Sequence, residues 1–149
     1  MRDQIDLGVG RAVLGACSLA LLITTHVPVT RWEAELQWIT EDELGSTPEF
    51  PPVYSLSLWD LWGEGVGSGL ATALPLVILA GLCLVAVFAD WMVRWVAPVG
   101  VILLVWVGLF AIDGFPGADT SARGLCLLVP IITIVVGIWT DRARRRVFG

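Results

Sequence analysis

Lysine is absent from this 149-residue chain, and all nine basic residues are arginine. One histidine, two methionines and three cysteines are the whole stock of soft or redox-active ligands. A bundle cytochrome needs two axial ligands per haem, which His26, Met1 and Met92 cannot supply from their positions. A thiol enzyme linked to quinones needs a cysteine pair, and no Cys-x-x-Cys spacing exists among Cys17, Cys83 and Cys126. With no such spacing and His26 the one histidine, a metal site is not expected either, nor a cofactor. Charge is equally scarce: at 15% charged residues the chain cannot coat a soluble domain of this size with polar surface.

Apolar sequence fills the gap. Residues 12–29, 67–88, 95–112 and 122–140 form runs of 18, 22, 18 and 19 residues whose only charge is Arg123. At about 1.5 Å per residue each run covers roughly 27–33 Å as a helix, close to the ~30 Å hydrocarbon core of a bilayer. The expected fold is an all-α membrane protein, a single four-transmembrane-helix bundle over residues 1–149. Asp3 and Asp6 dilute the positive leader and no small-x-small site follows Thr25, so the first run reads as a retained span rather than a cleaved signal.

The charges sort by sign. With the N-terminus inside, Arg2, Arg11, Arg94, Arg142, Arg144, Arg145 and Arg146 lie on the cytoplasmic side, and only Arg31 and Arg123 lie outside. Seven arginines against two predict a multi-pass plasma (inner) membrane protein with both termini cytoplasmic. Ten of the fourteen acids fall in the outer loops, 30–66 and 113–121, which argues against nucleic acid or an anionic ligand on that face. Neither outer loop holds a cysteine, which excludes an outer disulfide framework.

Residues 1–11 read as a short cytoplasmic leader. In the first outer loop the period changes. Trp32, Ala34, Leu36 and Trp38 alternate with Glu33, Glu35 and Gln37, and Tyr54, Leu56 and Leu58 alternate with Ser55 and Ser57. Period two predicts two strands, hence a small extracytoplasmic β-ribbon between spans one and two. A short amphipathic helix over 32–44 competes with it. A two-stranded ribbon is marginal alone, so its apolar face needs the bundle top, lipid or a partner as cover. Asp90 and Arg94 are spaced for an i, i+4 ion pair in the inner turn 89–94. Asp113 or Asp119 could pair with Arg123 at the outer rim. Seven of the eight tryptophans lie near a span boundary, the aromatic-belt distribution, and only Trp106 is deep.

Candidate contact residues are small-residue stripes, Ala12, Ala16 and Ala20 in the first span and Gly65, Gly69 and Ala73 at the second, which let helix backbones approach closely in lipid. Trp32, Trp38, Trp59 and Trp62 are the candidate contacts of the outer loop. His26 is the one ionisable group near a span interior, a candidate pH sensor with Asp60 or Glu64 as partner. Pro75 and Pro130 interrupt spans two and four, releasing the carbonyls of Ala71 and Cys126, and either shape packing or act as hinges. Pro98 reads as first-turn and harmless. The tail Arg142, Arg144, Arg145 and Arg146 is a topology anchor and a contact for anionic lipids on the cytoplasmic side. The run 63–69 is glycine-rich but lacks the Gly-Lys-Ser/Thr ending of a phosphate loop.

A long outer loop with strands and tryptophans between spans one and two, together with Trp59-Asp-Leu-Trp62, resembles the claudin-type tetraspan proteins in outline. The paired outer cysteines of that group are missing here, and the resemblance implies no function for this chain. No span holds the carboxylate of a small proton-coupled exporter, and Ser18 lies about two turns from His26, too far for a nucleophile and its base. The sequence points to a non-catalytic membrane protein, an accessory or assembly subunit or a homo-oligomeric scaffold. Its partners are the bilayer, anionic lipids and another membrane protein or a second copy, without nucleic acid. A small oligomeric transporter or channel is the alternative.

Overall fold

The computed structural model describes residues 2–28, 30–33, 53–63, 67–113 and 120–148. Along the chain run α1 (Arg2–His26), β1 (Thr30–Glu33), β2 (Val53–Leu56), α2 (Leu58–Gly63), α3 (Gly67–Phe88), a 3-10 turn (Asp90–Met92), α4 (Val93–Asp113) and α5 (Thr120–Phe148). Four of these helices, α1, α3, α4 and α5, are long and apolar enough to cross a membrane.

The four long helices form a ring. α1 packs against α3 and α5, and α4 packs against the same two. Each long helix is anchored by buried residues that recur every seven positions. On α1 these are Leu7, Leu14 and Leu21 with Gly10, Cys17 and Thr24; on α3, Gly69, Leu76 and Cys83 with Thr72, Leu79 and Ala86. Val93, Gly100 and Val107 continue the pattern on α4, and Cys126, Thr133 and Thr140 on α5. A sevenfold repeat keeps one seam of each helix facing its neighbours over the whole length. The core drawn from these seams includes Leu14, Leu21, Leu76, Leu79, Cys83, Val93, Val107 and Cys126, with Val96 beside them.

Small residues set how closely the walls meet. A Cβ at Gly100 would lie 2.8 Å from Ile134 Cγ1, and one at Gly137 would lie 2.9 Å from Val96 Cγ1, so α4 and α5 exchange branched side chains into each other's glycine notches. Likewise a Cβ at Gly10 would meet Thr140 Oγ1 at 2.5 Å. These contacts place the start of α1, the turn before α4 and the last turns of α5 at one end of the bundle. α2 and the short ribbon belong to the other.

Several expectations change here. The leader is helical: α1 starts at Arg2, because α5 runs on to Phe148 and gives Gly10 a surface to pack on. α4 begins at Val93, so Pro98 sits inside the helix rather than in its first turn. β1 and β2 pair antiparallel, Trp32 opposite Tyr54 and Thr30 opposite Leu56. Leu58, expected in the second strand, instead opens α2. The helix starts there because Ser57 and Asp60 form a capping box. The amphipathic-helix alternative over 32–44 falls mostly outside the described residues, as do Trp38, Gly65, Glu64 and Asp119.

Candidate functional site

At the end that carries α2, the side chains of Ser57, Trp59 and Asp60 lock that helix onto α1. The Ser57 backbone N–H and hydroxyl both donate to Asp60 Oδ2, at 2.8 and 2.7 Å, and the Asp60 N–H donates back to Ser57 Oγ at 3.3 Å. Trp59 Nε1–H donates to Thr25 Oγ1 at 3.1 Å, and Thr25 in turn donates to the Leu22 carbonyl at 2.7 Å. The buried Leu58 and Leu61 sit beneath this polar rim and pack into the core. Among the described residues, α2 therefore supplies cover for this end of the bundle.

His26 ends α1 with its ring 6.4 Å from that of Trp59, tilted by 37°. The side-chain and backbone hydrogen bonds from Ser57, aided by the field of His26, hold the exposed Asp60 carboxyl below its ordinary value of 3.8, against a smaller opposing effect of burial. The Ser57 hydroxyl proton is committed to a carboxylate that already accepts a second bond. This is capping chemistry and not an activated nucleophile.

The middle of the bundle is apolar with a few satisfied hydroxyls. Ser18 donates across to the Ala80 carbonyl at 2.9 Å, joining α1 to α3. Thr133 and Thr140 donate to their own helix at Val129 and Val136. Pro75 is buried in α3, and the carbonyl it releases, Ala71, accepts the Trp106 indole N–H from α4 at 3.0 Å. The one deep tryptophan thus answers the proline one helix away. Thr72 Oγ1 is buried without a hydrogen-bond partner. Cys17, Cys83 and Cys126 are free and buried. Among the described residues no group of three His, Cys, Asp or Glu side chains could hold a metal ion.

The opposite end holds Arg11, Arg94, Arg142, Arg144 and Arg145. Asp90 pairs with Arg11 of α1 and not with Arg94, which corrects the expected i, i+4 pair. The 3-10 turn at Asp90–Met92 separates Asp90 from the regular helix of Arg94, so helical spacing does not apply between them. Arg94 instead lies over the Trp95 ring, 5.4 Å from its centroid. Asp141 pairs with Arg145 at 2.8 Å and with Arg144 at 3.6 Å.

The expected contact residues are distributed unevenly. Ala12 and Ala16 are exposed and Ala20 is half-buried, so the contacts of α1 within the chain run through its leucines, Gly10 and Ser18 rather than through that stripe. Gly69 and Ala73 are buried in α3, and Pro130 is buried in α5. Trp59 is half-buried; Trp32 lies in β1 and Trp62 in α2. Arg142, Arg145 and Arg146 are exposed and Arg144 is half-buried. Sequence reasoning missed three features, namely the Ser57–Asp60 capping box, the Trp106–Ala71 bond and the Arg11–Asp90 pair. Only the first had a local signal, Ser-x-x-Asp ahead of an apolar run.

The chain was compared with protein-family models, curated proteins and solved structures, and it matches none of them.

Proposed function

We propose that this chain is a non-catalytic integral membrane subunit that works by contact, either as an accessory or assembly subunit of a larger complex or as a homo-oligomeric scaffold. One observation carries the reading. α1 already meets α3 and α5 through its leucine seam, yet it turns a second, small-residue face outward. Gly8, Ala12 and Ala16 recur every four residues and are all exposed, and a Cβ at Gly8 would meet nothing within 4 Å. Such a face gives the backbone of another helix close access, which is how helices associate where lipid removes the hydrophobic drive.

The interior supports contact over conduction. Among the described residues of the four long helices, no Asp, Glu, Arg or His side chain lies between Ala12 and Thr25 of α1, within α3, between Val96 and Leu109 of α4, or between Gly124 and Thr140 of α5. The arginine distribution supports a plasma-membrane placement with both termini cytoplasmic, the arginine tail among anionic headgroups, and the ribbon outside.

Purification in mild detergent with mass measurement tests the proposal. We expect either more than one copy or a co-purifying membrane protein, lost on Ala12→Leu/Ala16→Leu while the buried thiols stay protected. A lone monomer that recruits nothing, or association untouched by both leucines, overturns it.

A further inference from the structure

We infer that the groove between the start of α4 and the end of α5 is a binding site for the phosphate of an anionic phospholipid. The groove encloses about 430 Å³ and is lined by Arg94, Ala97 and Pro98 of α4 and by Ile138, Asp141, Arg142 and Arg145 of α5. That volume lies within the roughly 300–1,000 Å³ range of small-ligand pockets. Three guanidiniums against one carboxylate leave the groove with two positive charges. Asp141 is already held by Arg145 and Arg144, whereas Arg94 and Arg142 have no carboxylate partner among the described residues.

The lining also grades from charge to hydrocarbon, with Ala97, Pro98 and Ile138 on the side of the spans. Free phosphate would use only the charged part of that surface. A lipid uses both, with its phosphodiester between the guanidiniums and its first methylenes over Pro98 and Ile138. Trp91, Trp95 and Trp139 are exposed close to the groove in sequence, as rings are at headgroup depth. Stacking on Trp95 restrains Arg94 while leaving its edge donors available to a phosphate oxygen. The basic tail alone would attract anionic lipid diffusely; Arg94, brought in from another helix 48 positions upstream of Arg142, makes a defined site.

This inference rests on the membrane placement and is independent of self-association. Resistance of the full chain to carbonate extraction is therefore scored first, and extraction would overturn both. The detergent-solubilised protein is then titrated with phosphatidylglycerol, phosphatidylcholine of the same chains, or inorganic phosphate, and bound lipid is read by native mass spectrometry. We expect phosphatidylglycerol to be retained over phosphatidylcholine and not displaced by equimolar phosphate. Arg94→Gln/Arg142→Gln should weaken phosphatidylglycerol retention by about fivefold or more per guanidinium removed. Arg2→Gln/Arg11→Gln removes the same charge from α1 and should leave retention nearly unchanged. Thiol protection at Cys17, Cys83 and Cys126 verifies the fold of both variants. Equal losses in the two variants, no loss in the first, equal retention of phosphatidylcholine, or displacement by free phosphate would each overturn the site.

Discussion

Trp106→Phe removes the indole N–H and asks whether its bond to the Ala71 carbonyl repairs a specific defect. Pro75 has no N–H, so the Ala71 carbonyl four residues earlier loses its helical donor. In hydrocarbon no water replaces it, and the Trp106 indole supplies the bond at 3.0 Å. Interhelical bonds of this kind average ~0.6 kcal/mol in bilayers and reach ~1.7. A carbonyl left unsatisfied costs ~1–3 kcal/mol where it is fully buried. Ala71 is half-buried and Trp106 is 49% exposed, so the expected loss for Trp106→Phe is about 1 kcal/mol. The smaller ring also forfeits packing, and a double-mutant cycle with Pro75→Ala separates the two. Alanine at 75 restores the N–H that reaches the Ala71 carbonyl, which makes the indole bond to it redundant, so Trp106→Phe should then cost only the share due to packing and the ring's other contacts. The assay follows denaturing-detergent unfolding through labelling of the buried thiols Cys17, Cys83 and Cys126. A coupling energy of about 1 kcal/mol is expected. If Trp106→Phe costs the same in both backgrounds, the repair argument is refuted.

Other outcomes follow from the same contacts. Gly10→Ala should destabilise by about 1–3 kcal/mol in the same unfolding assay, because Thr140 is β-branched and bonded to Val136 and cannot retreat from the new methyl. Gly8→Ala, which meets nothing within 4 Å, should be nearly neutral, and a reversed order would contradict the α1–α5 packing. Arg11→Gln should cost no more than about 1 kcal/mol, since its side chain is 27% and that of Asp90 44% exposed, and the swap Arg11→Asp/Asp90→Arg should recover most of it. Because the carboxyl of Asp60 is depressed in the folded protein, its contribution is present above the ordinary value of 3.8 and lost as pH falls through the lower folded value. Thermal midpoints should therefore show an acid loss below that point which Asp60→Ala removes; an unchanged acid limb would disprove the capping role.

The four spans were legible because a bilayer imposes length and polarity together, so a charge-free run of 18 or more residues has few other uses. The inward faces were not. Water marks a soluble helix with a polar side, but lipid is as apolar as leucine, so Leu14 facing the core and Leu19 facing outward look alike in sequence. Smallness was the one cue left, and it marked Ala12 and Ala16, which are exposed, while the Leu7, Leu14, Leu21 seam that packs within the chain carried no mark of its own. The same limit applies to pairs. Asp90 and Arg94 are neighbours in sequence, but Arg11, 79 positions away, takes the carboxylate once the bundle closes. The extended reading of Tyr54 to Leu58 stopped short for a local reason, since the Ser57 cap outweighs alternation at the last residue.

The ring order has a consequence for how the chain is made. Three of its four walls join helices that are consecutive spans, so each can zip up as soon as the newer helix leaves the ribosome. The wall between α1 and α5 is different: its two halves are the first and the last of the four spans to be made, and Gly10 waits for Thr140 until all four have been synthesised. Until that last seam shuts, the first helix keeps an open flank in the bilayer, and a chain truncated before Thr120 never shuts it.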